Sequence, residues 1–100
     1  MDIFGEAAAA VAKSRRNVLE FVRQDINLGF TFLDTAKVEQ RLRETEVRDR
    51  SVRHAQQACD GAVRCLENVS DVASEERDHL QRGIDSLQAA IDEFRPSPKV

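Results

Sequence analysis

The last third of the chain carries its apolar residues at the spacing of a single helix face. These residues follow one another at intervals of four and three positions: Leu80, Ile84, Leu87, Ile91 and Phe94. Such an alternation is typical of an amphipathic helix with one side against a core. Ser74 is a favourable N-cap residue, and Pro96 cannot continue a helix. The pattern therefore predicts a helix over residues 74–94, followed by a disordered tail over residues 96–100.

The middle of the chain repeats mostly small residues at the same helical spacing. The residues of this seam are Val47, Ser51, Ala55, Ala58, Ala62, Cys65 and Val69. A face of small side chains lets a neighbouring helix approach closely. We therefore predict a second helix over about residues 47–69.

The first third has a wider apolar face, made of two neighbouring stripes. One stripe consists of Val18, Val22, Gly29, Phe32 and Ala36, and the other of Leu19, Ile26, Phe30 and Leu33. A face of this width belongs against two partner helices, so the sequence predicts a helix over about residues 3–37 that contacts both of the others. Residues 38–46 contain no helix breaker, and at this point they can be either a loop or continued helix.

The three predicted helices define the fold class. Short connections favour antiparallel neighbours, so we expect an all-α, up-down-up three-helix bundle. Residues 1–95 contain no proline and are expected to form one domain. Charged residues make up 33% of the chain, and this share suits long solvated helix faces.

The charge balance argues against several classes of function. A net charge of -3 gives no general attraction for nucleic acid or for an anionic membrane. No motif for a phosphate, a cofactor or a small-molecule substrate is present. The N-terminus carries Asp2 and Glu6 instead of the basic residues of a secretory signal, so we expect a cytoplasmic protein.

Five arginines lie within residues 41–53, but acidic residues alternate with them and no aromatic residue is interleaved for base stacking. The third predicted helix is strongly acidic. In an antiparallel hairpin we expect Arg50 and Arg53 to lie near Asp92 and Glu93, which accounts for the arginines without nucleic acid.

His54, Cys59 and Cys65 raise the question of a metal or redox site. On a helix, Cys59 and Cys65 are about 120° apart around the axis and about 9 Å apart along it, too far for a disulfide. His54 cannot share a metal ion with either cysteine. We therefore expect both cysteines to be buried small apolar residues, with a reactive thiol or a metal site shared with another chain as the alternatives. We predict folding without a metal, a cofactor or a disulfide.

Asp25 falls on an apolar stripe of the first helix, between Val22 and Gly29. An unpaired carboxylate is costly there, so we expect a structural polar pair. The partner is either an arginine of the second helix or a hydrogen-bonding backbone or threonine group. Simple exposure at the edge of a wide helix face is the alternative.

The first helix is predicted to be longer than the other two and to extend beyond them at its N-terminus by roughly 17 Å. That segment is apolar, and its candidate partner-binding residues are Ile3, Phe4, Ala7, Ala8 and Val11. An apolar helix of this kind suits burial against a second copy or another protein. A frayed terminus, or a segment folded back onto the bundle, is the alternative.

Two stretches, DINLGFTFLDTA (residues 25–36) and AQQACDGAVRCLE (residues 55–67), resemble a group of small helical bacterial proteins without an assigned activity. Cys59 stands where that group carries tyrosine. The same residues are similar to a tetratricopeptide helix hairpin, with Leu28, Gly29 and Phe32 on its first helix. The resemblance covers about residues 21–94 and implies a helical bundle, and the hairpin shape favours a protein partner.

The sequence thus predicts a non-enzymatic helical module for protein–protein interaction or self-association. The alternative is a signalling domain that accepts a phosphoryl group on His54, which requires an exposed imidazole.

Overall fold

A computed structural model of the chain describes residues 3–69 and 72–94, and for residues 3–15 it describes the backbone alone. This part of the chain contains three α-helices. They are α1 (Ile3–Arg41), α2 (Thr45–Glu67) and α3 (Ser74–Phe94). The predicted all-α class and the number of helices are confirmed. The expected tail, residues 96–100, lies outside the described residues.

The bounds of α3 agree with the prediction at both ends, but the expected cap residue is different. The backbone carbonyl of Ala73 accepts a hydrogen bond from the Arg77 amide at 2.9 Å, so Ala73 occupies the N-cap position. The hydroxyl of Ser74 makes no hydrogen bond to a residue that the structure describes. Residues 75 and 76 still place two carboxylates in the first turn, where the helix dipole favours them.

The connection between α1 and α2 is shorter than the sequence suggested. Helix α1 continues four residues beyond 37, and α2 begins at Thr45 and ends at Glu67, two residues earlier at each end than expected. The turn has left-handed backbone at Arg43, with φ of 60°. The amides of Arg43 and Glu44 donate to the carbonyls of Gln40 and Glu39, the hydrogen-bond pattern of a Schellman motif.

The helices run up, down and up, as predicted. Ser51 of α2 donates its hydroxyl to the Glu39 carboxylate of α1 at 3.2 Å, and Gly61 lies against Asp25, so these two helices are antiparallel. Helix α3 runs parallel to α1, because Gly29 and Leu87 meet about two turns above the contact between Arg23 and Glu76.

The core lies where the three helices converge. Its buried residues are Val22, Ile26, Leu33, Ala36, Val52, Ala55, Cys59, Ala62, Leu66, Leu80, Ile84, Leu87 and Ile91. The α2 members are mostly small, which allows α1 and α3 to approach α2 closely. Helix α3 fills one side of the α1–α2 hairpin, and no helix of the described chain covers the opposite side, called the open face below.

Helix α1 extends well beyond the hairpin. At a rise of 1.5 Å per residue its 39 residues span about 58 Å, and the molecule is 63 Å long. The contact between Asp25 and Gly61 places the end of α2 level with Leu19. The backbone of α1 therefore continues about 24 Å past α2.

Candidate interaction face

The open face carries a line of exposed, uncharged residues along α1 and the first residue after it. From Phe21 to Leu42 they follow one another at intervals of three and four positions: Phe21, Gln24, Leu28, Thr31, Thr35, Val38 and Leu42. All seven are exposed, and we call them the outer stripe. Four of them are large apolar residues, with exposed fractions of 60% for Phe21, 46% for Leu28, 52% for Val38 and 67% for Leu42.

The two threonines make the outer stripe less polar than its composition suggests. Thr31 donates its hydroxyl to the Asn27 carbonyl at 3.0 Å, and Thr35 donates to the Thr31 carbonyl at 3.2 Å. Both hydroxyl groups thus donate their hydrogen bonds within α1, and neither presents an unsatisfied donor to a partner. Gln24 is the one stripe residue with an amide side chain, and every other member offers a methyl group or an aromatic ring.

A shallow apolar depression lies beside the outer stripe, between α1 and α2. It is lined by Leu28, Phe32, His54, Gln57 and Ala58. The Phe32 and His54 rings are tilted at 56° with their centroids 5.1 Å apart. This ring pair lies between the two helices at the base of the depression. It makes the outer stripe and α2 one continuous face.

His54, the residue of the phosphoacceptor hypothesis, is half-buried in this depression. Its packing against Phe32 covers part of the imidazole, and the other side chains that line the depression are uncharged. The role of His54 as a phosphoacceptor stays a prediction.

Asp25 does not form the expected polar pair. Its side chain makes no hydrogen bond or ion pair with a residue that the structure describes, so neither an α2 arginine nor a threonine serves as its partner. The physical reason is Gly61, which has no side chain and leaves space for the carboxylate; a Cβ there would lie 3.3 Å from Asp25 Oδ2. Partial burial raises the pKa of the Asp25 carboxyl above its usual range.

The two cysteines differ in their surroundings, and both are free thiols. Cys59 is buried in the core, and burial, followed by the charges of Asp60, Asp85 and Asp92, raises the pKa of its thiol. Cys65 is only half-buried. Within residues 16–69 and 72–94, no group of histidine, cysteine and acidic side chains could hold a metal ion.

The expected ion pairs between α2 and α3 do not form. Within the described chain Arg50 and Arg53 make no ion pair with Asp92 or Glu93. These helices are linked instead by the Arg77 guanidinium, which donates to the Leu66 carbonyl at 3.2 Å, and by a reciprocal amide pair. Gln56 Nε2 donates to Gln88 Oε1 at 2.8 Å, and Gln88 Nε2 donates to Gln56 Oε1 at 3.0 Å.

The candidate contact residues Ile3, Phe4, Ala7, Ala8 and Val11 have side chains outside the described part of the structure. The backbone overhang on which that hypothesis rests is present, and it is longer than expected because α1 is longer. The role of these residues in contact with a partner stays a prediction. The outer stripe lies in the neighbouring part of the same helix, and the apolar pattern of the sequence did not predict it.

Comparisons with protein families, with curated proteins and with solved structures find no match for this chain. The resemblance to small helical bacterial proteins thus stays a prediction. Among the helices that the structure describes, none has both the length and the apolar character required to cross a membrane.

Proposed function

We propose that this protein is a non-enzymatic helical module whose function is contact with another protein chain, either a second copy or a different partner. The outer stripe carries this proposal. It is a line of seven exposed residues without a charge, in a chain in which one third of the residues are charged.

Single exposed apolar residues are common on protein surfaces and need no partner. The outer stripe differs because its apolar residues are aligned. Phe21, Leu28, Thr35 and Leu42 are separated by seven residues each, and Gln24, Thr31 and Val38 fill the intermediate row. This is the spacing with which helices pack side by side, and burial contributes about 25 cal/mol for each Å² of apolar surface.

The proposal includes the N-terminal overhang. By sequence spacing, Ala7 belongs to the seven-residue series of Phe21, and Ile3 belongs to that of Gln24. A partner helix that lies along the outer stripe can therefore continue along the first four turns of α1, which extend beyond α2. We place the module in the cytoplasm, and its two free thiols are consistent with a reducing compartment.

The experiment compares the intact protein with the double variant Leu28→Glu and Val38→Glu. Both positions are exposed, so the variant is expected to keep the helix content and unfolding midpoint of the intact protein. Ala89→Glu, at an exposed position of α3, is the matched control. Self-association is measured by analytical ultracentrifugation, and binding of other proteins by quantitative capture from the source cells.

We expect either self-association or the capture of a defined protein to be lost in the double variant and retained in Ala89→Glu. The proposal is overturned if the intact protein is monomeric and its captured proteins are unchanged in the double variant.

A further inference from the structure

We infer that the occupant of the outer stripe is a second copy of this chain, bound with the two α1 helices parallel and in register. The inference rests on the proposed function and names its partner. Three observations carry it: the repeat of the stripe, the charges on its two flanks, and the single amide within it.

The repeat of the outer stripe specifies a helix as the occupant. Positions separated alternately by three and four residues form the a and d rows of a heptad, and such rows interlock with the same rows of a second helix. Within one copy, the residues that follow Phe21, Leu28 and Thr35 are buried against the core; they are Val22, Gly29 and Ala36. Helix α1 thus has two packing faces. One already packs in the core of its own chain, and the outer stripe is the other.

The two flanks of the outer stripe differ in net charge. On one flank lie four exposed α1 residues, each seven residues from the next: Glu20, Asn27, Asp34 and Arg41, with a net charge of -1. Glu20 and Asp34 are called the acidic row below. On the other flank lies α2, which contacts α1 through Phe32 and His54. Along its open face α2 presents Gln57, which lines the depression beside the stripe.

Two exposed arginines, Arg50 and Arg64, lie on the same line of α2 as Gln57, because each is seven residues away from it. Since α2 is antiparallel to α1, Arg64 is level with the start of the outer stripe and Arg50 with its second half. The acids Glu20 and Asp34 are fourteen residues apart, as are Arg64 and Arg50, which corresponds to about 21 Å. The two rows therefore have matching spacing.

Within one copy the stripe separates these rows. Arg50, Arg64 and Asp34 make no ion pair with a described residue, and Glu20 pairs with Arg23 of its own helix at 3.3 Å. A second copy can bring the acidic row of one chain opposite the basic row of the other. The symmetry of the pair decides whether it does so.

A two-fold axis parallel to the helices brings opposite flanks of the two stripes together. Glu20 and Asp34 of one copy then face the arginine row of the other. A two-fold axis across the helices makes α1 antiparallel, and it places the arginine row of one copy, Arg50 and Arg64, against the arginine row of the other. Like charges in close apposition oppose association. Charge complementarity therefore selects the parallel pair, and its symmetry places each stripe residue opposite its own copy.

Gln24 fits this arrangement. In a parallel pair the two Gln24 amides face each other and can form reciprocal hydrogen bonds, as Gln56 and Gln88 do between α2 and α3. A single polar residue in an otherwise apolar helix seam fixes register and orientation. The outer stripe then has no unsatisfied amide when the second copy covers it.

The test is site-specific disulfide formation in the 100-residue chain with Cys65→Ala, which leaves only the buried Cys59. Cysteines are introduced singly as Thr31→Cys and Val38→Cys, with Ala89→Cys on the far side of the molecule as the matched control. Each protein is oxidised mildly at micromolar concentration, and the fraction of covalent dimer is measured. Parallel pairing predicts covalent dimers from both Thr31→Cys and Val38→Cys, and only background from Ala89→Cys.

The two positions together distinguish the orientations. In an antiparallel pair, only a residue at the two-fold axis lies opposite its own copy. Positions 31 and 38 are about 10 Å apart along α1, whereas disulfide-linked Cα atoms lie within about 7 Å, so they cannot both form covalent dimers in that geometry. The inference is overturned if a covalent dimer forms from only one of the two positions or only from a mixture of the two variants. It is also overturned if Ala89→Cys forms the dimer equally well.

Charge reversal provides a second readout that does not depend on cysteine. Asp34→Arg is expected to raise the dissociation constant of the pair about tenfold, since it places like charges opposite each other twice in the dimer. Mixing Asp34→Arg with Arg50→Asp should favour the mixed dimer over either homodimer. A preference of both variants for their own homodimers contradicts the inference.

Failure of this inference is distinguishable from failure of the proposed function. If the intact protein stays monomeric while its capture of another protein depends on Leu28 and Val38, the occupant is a different chain and the interaction module stands. If neither self-association nor capture depends on these residues, both proposals are overturned.

Discussion

Gly29 allows the closest approach between α1 and α3. A Cβ at this position would lie 2.5 Å from Leu87 Cδ2 and 2.9 Å from Leu87 Cδ1, and Leu87 is fully buried, so its side chain has no open space to enter. We expect Gly29→Ala to lower the free energy of unfolding by about 1–3 kcal/mol, because the strain of overpacking exceeds alanine's helix propensity advantage. Urea denaturation measures the change.

Gly61→Ala is the matched control, since Gly61 is also inside a helix. Its added Cβ would meet Asp25 Oδ2 at 3.3 Å, and that carboxylate has room to shift toward solvent. The free energy of unfolding should stay unchanged or rise by up to about 1 kcal/mol, the gain of alanine over glycine in a helix. Equal stability of Gly29→Ala and Gly61→Ala would contradict the close packing of Gly29 against Leu87.

Asp25 makes the stability of the fold depend on pH. Its pKa is raised in the folded state, so the folded chain holds this proton more tightly than the unfolded chain, in which the pKa is about 3.9. The contribution of Asp25 to the free energy of unfolding therefore falls as pH rises from that value through the raised pKa. Above this pH window the ionised carboxylate lowers the free energy of unfolding by a constant amount. Below the window the carboxyl is protonated and this loss is absent.

We therefore expect Asp25→Asn to raise the free energy of unfolding at pH 7 by about 0.5 kcal/mol, a size typical of partly exposed positions. The difference from the original protein should shrink as pH falls and disappear near pH 3. Denaturation curves at a series of pH values test this. A loss of stability in Asp25→Asn at pH 7 would mean that the carboxylate has a stabilising partner.

At the scale of the helix, the turn between α1 and α2 contains a strained residue. Arg43 occupies the C′ position of the Schellman motif with a φ of 60°, where glycine is the usual residue. Left-handed backbone costs an L-residue about 1–2 kcal/mol, and glycine avoids that cost. We expect Arg43→Gly to raise the midpoint of thermal unfolding and the free energy of unfolding by about 0.5–1 kcal/mol, after allowing for the greater freedom of glycine in the unfolded chain.

Arg41→Gly provides the comparison for that substitution. Arg41 is exposed in the last turn of α1, where its backbone is helical, so glycine should lower the free energy of unfolding there by up to about 1 kcal/mol. Opposite signs for the two neighbouring positions would establish that the effect comes from the backbone conformation. Loss of stability at both positions would rule out the strained turn.

The sequence predicted the helices but not all of their ends. The bounds of α3 were predictable because its apolar face is continuous and because Pro96 cannot continue a helix. The end of α1 was not, since Arg43 carries none of the glycine signal that usually marks such a turn. The amide link between α2 and α3 was also missed, because the side chains of Gln56 and Gln88 indicate a pair only when the packing is known.

The sequence did contain the signal for the outer stripe. An uncharged residue recurs every three or four positions from Phe21 to Leu42, beside the more apolar rows that form the core. The threonines and Gln24 made this row look polar, and the hydrogen bonds that satisfy the threonine hydroxyls within α1 are visible only in the structure. For Asp25 the sequence predicted a structural polar pair, which does not form with any residue that the structure describes, because the space left by Gly61 depends on how the two helices meet.

At the scale of the whole molecule, the long first helix determines the shape. The radius of gyration is 17.4 Å, whereas a compact domain of 100 residues has about 13 Å. The principal dimensions are 63 × 27 × 16 Å, so the chain is an elongated, thin body with α3 on one side of the hairpin and the outer stripe on the other. Such a shape leaves a large part of α1 without a second layer, and a second copy on the open face would supply that layer.

The parallel pair makes a specific prediction for this shape. Two copies joined along α1 add thickness without adding length, so the mass should double from 11.3 kDa while the longest dimension stays near 63 Å. Small-angle X-ray scattering of the intact protein measures both quantities, and the variant with Leu28→Glu and Val38→Glu should give half the mass at nearly the same length. Contact between the ends of two chains would instead extend the particle toward twice the length of one copy. A dimer of that length would exclude the outer stripe as its interface, because side-by-side packing along α1 cannot produce it.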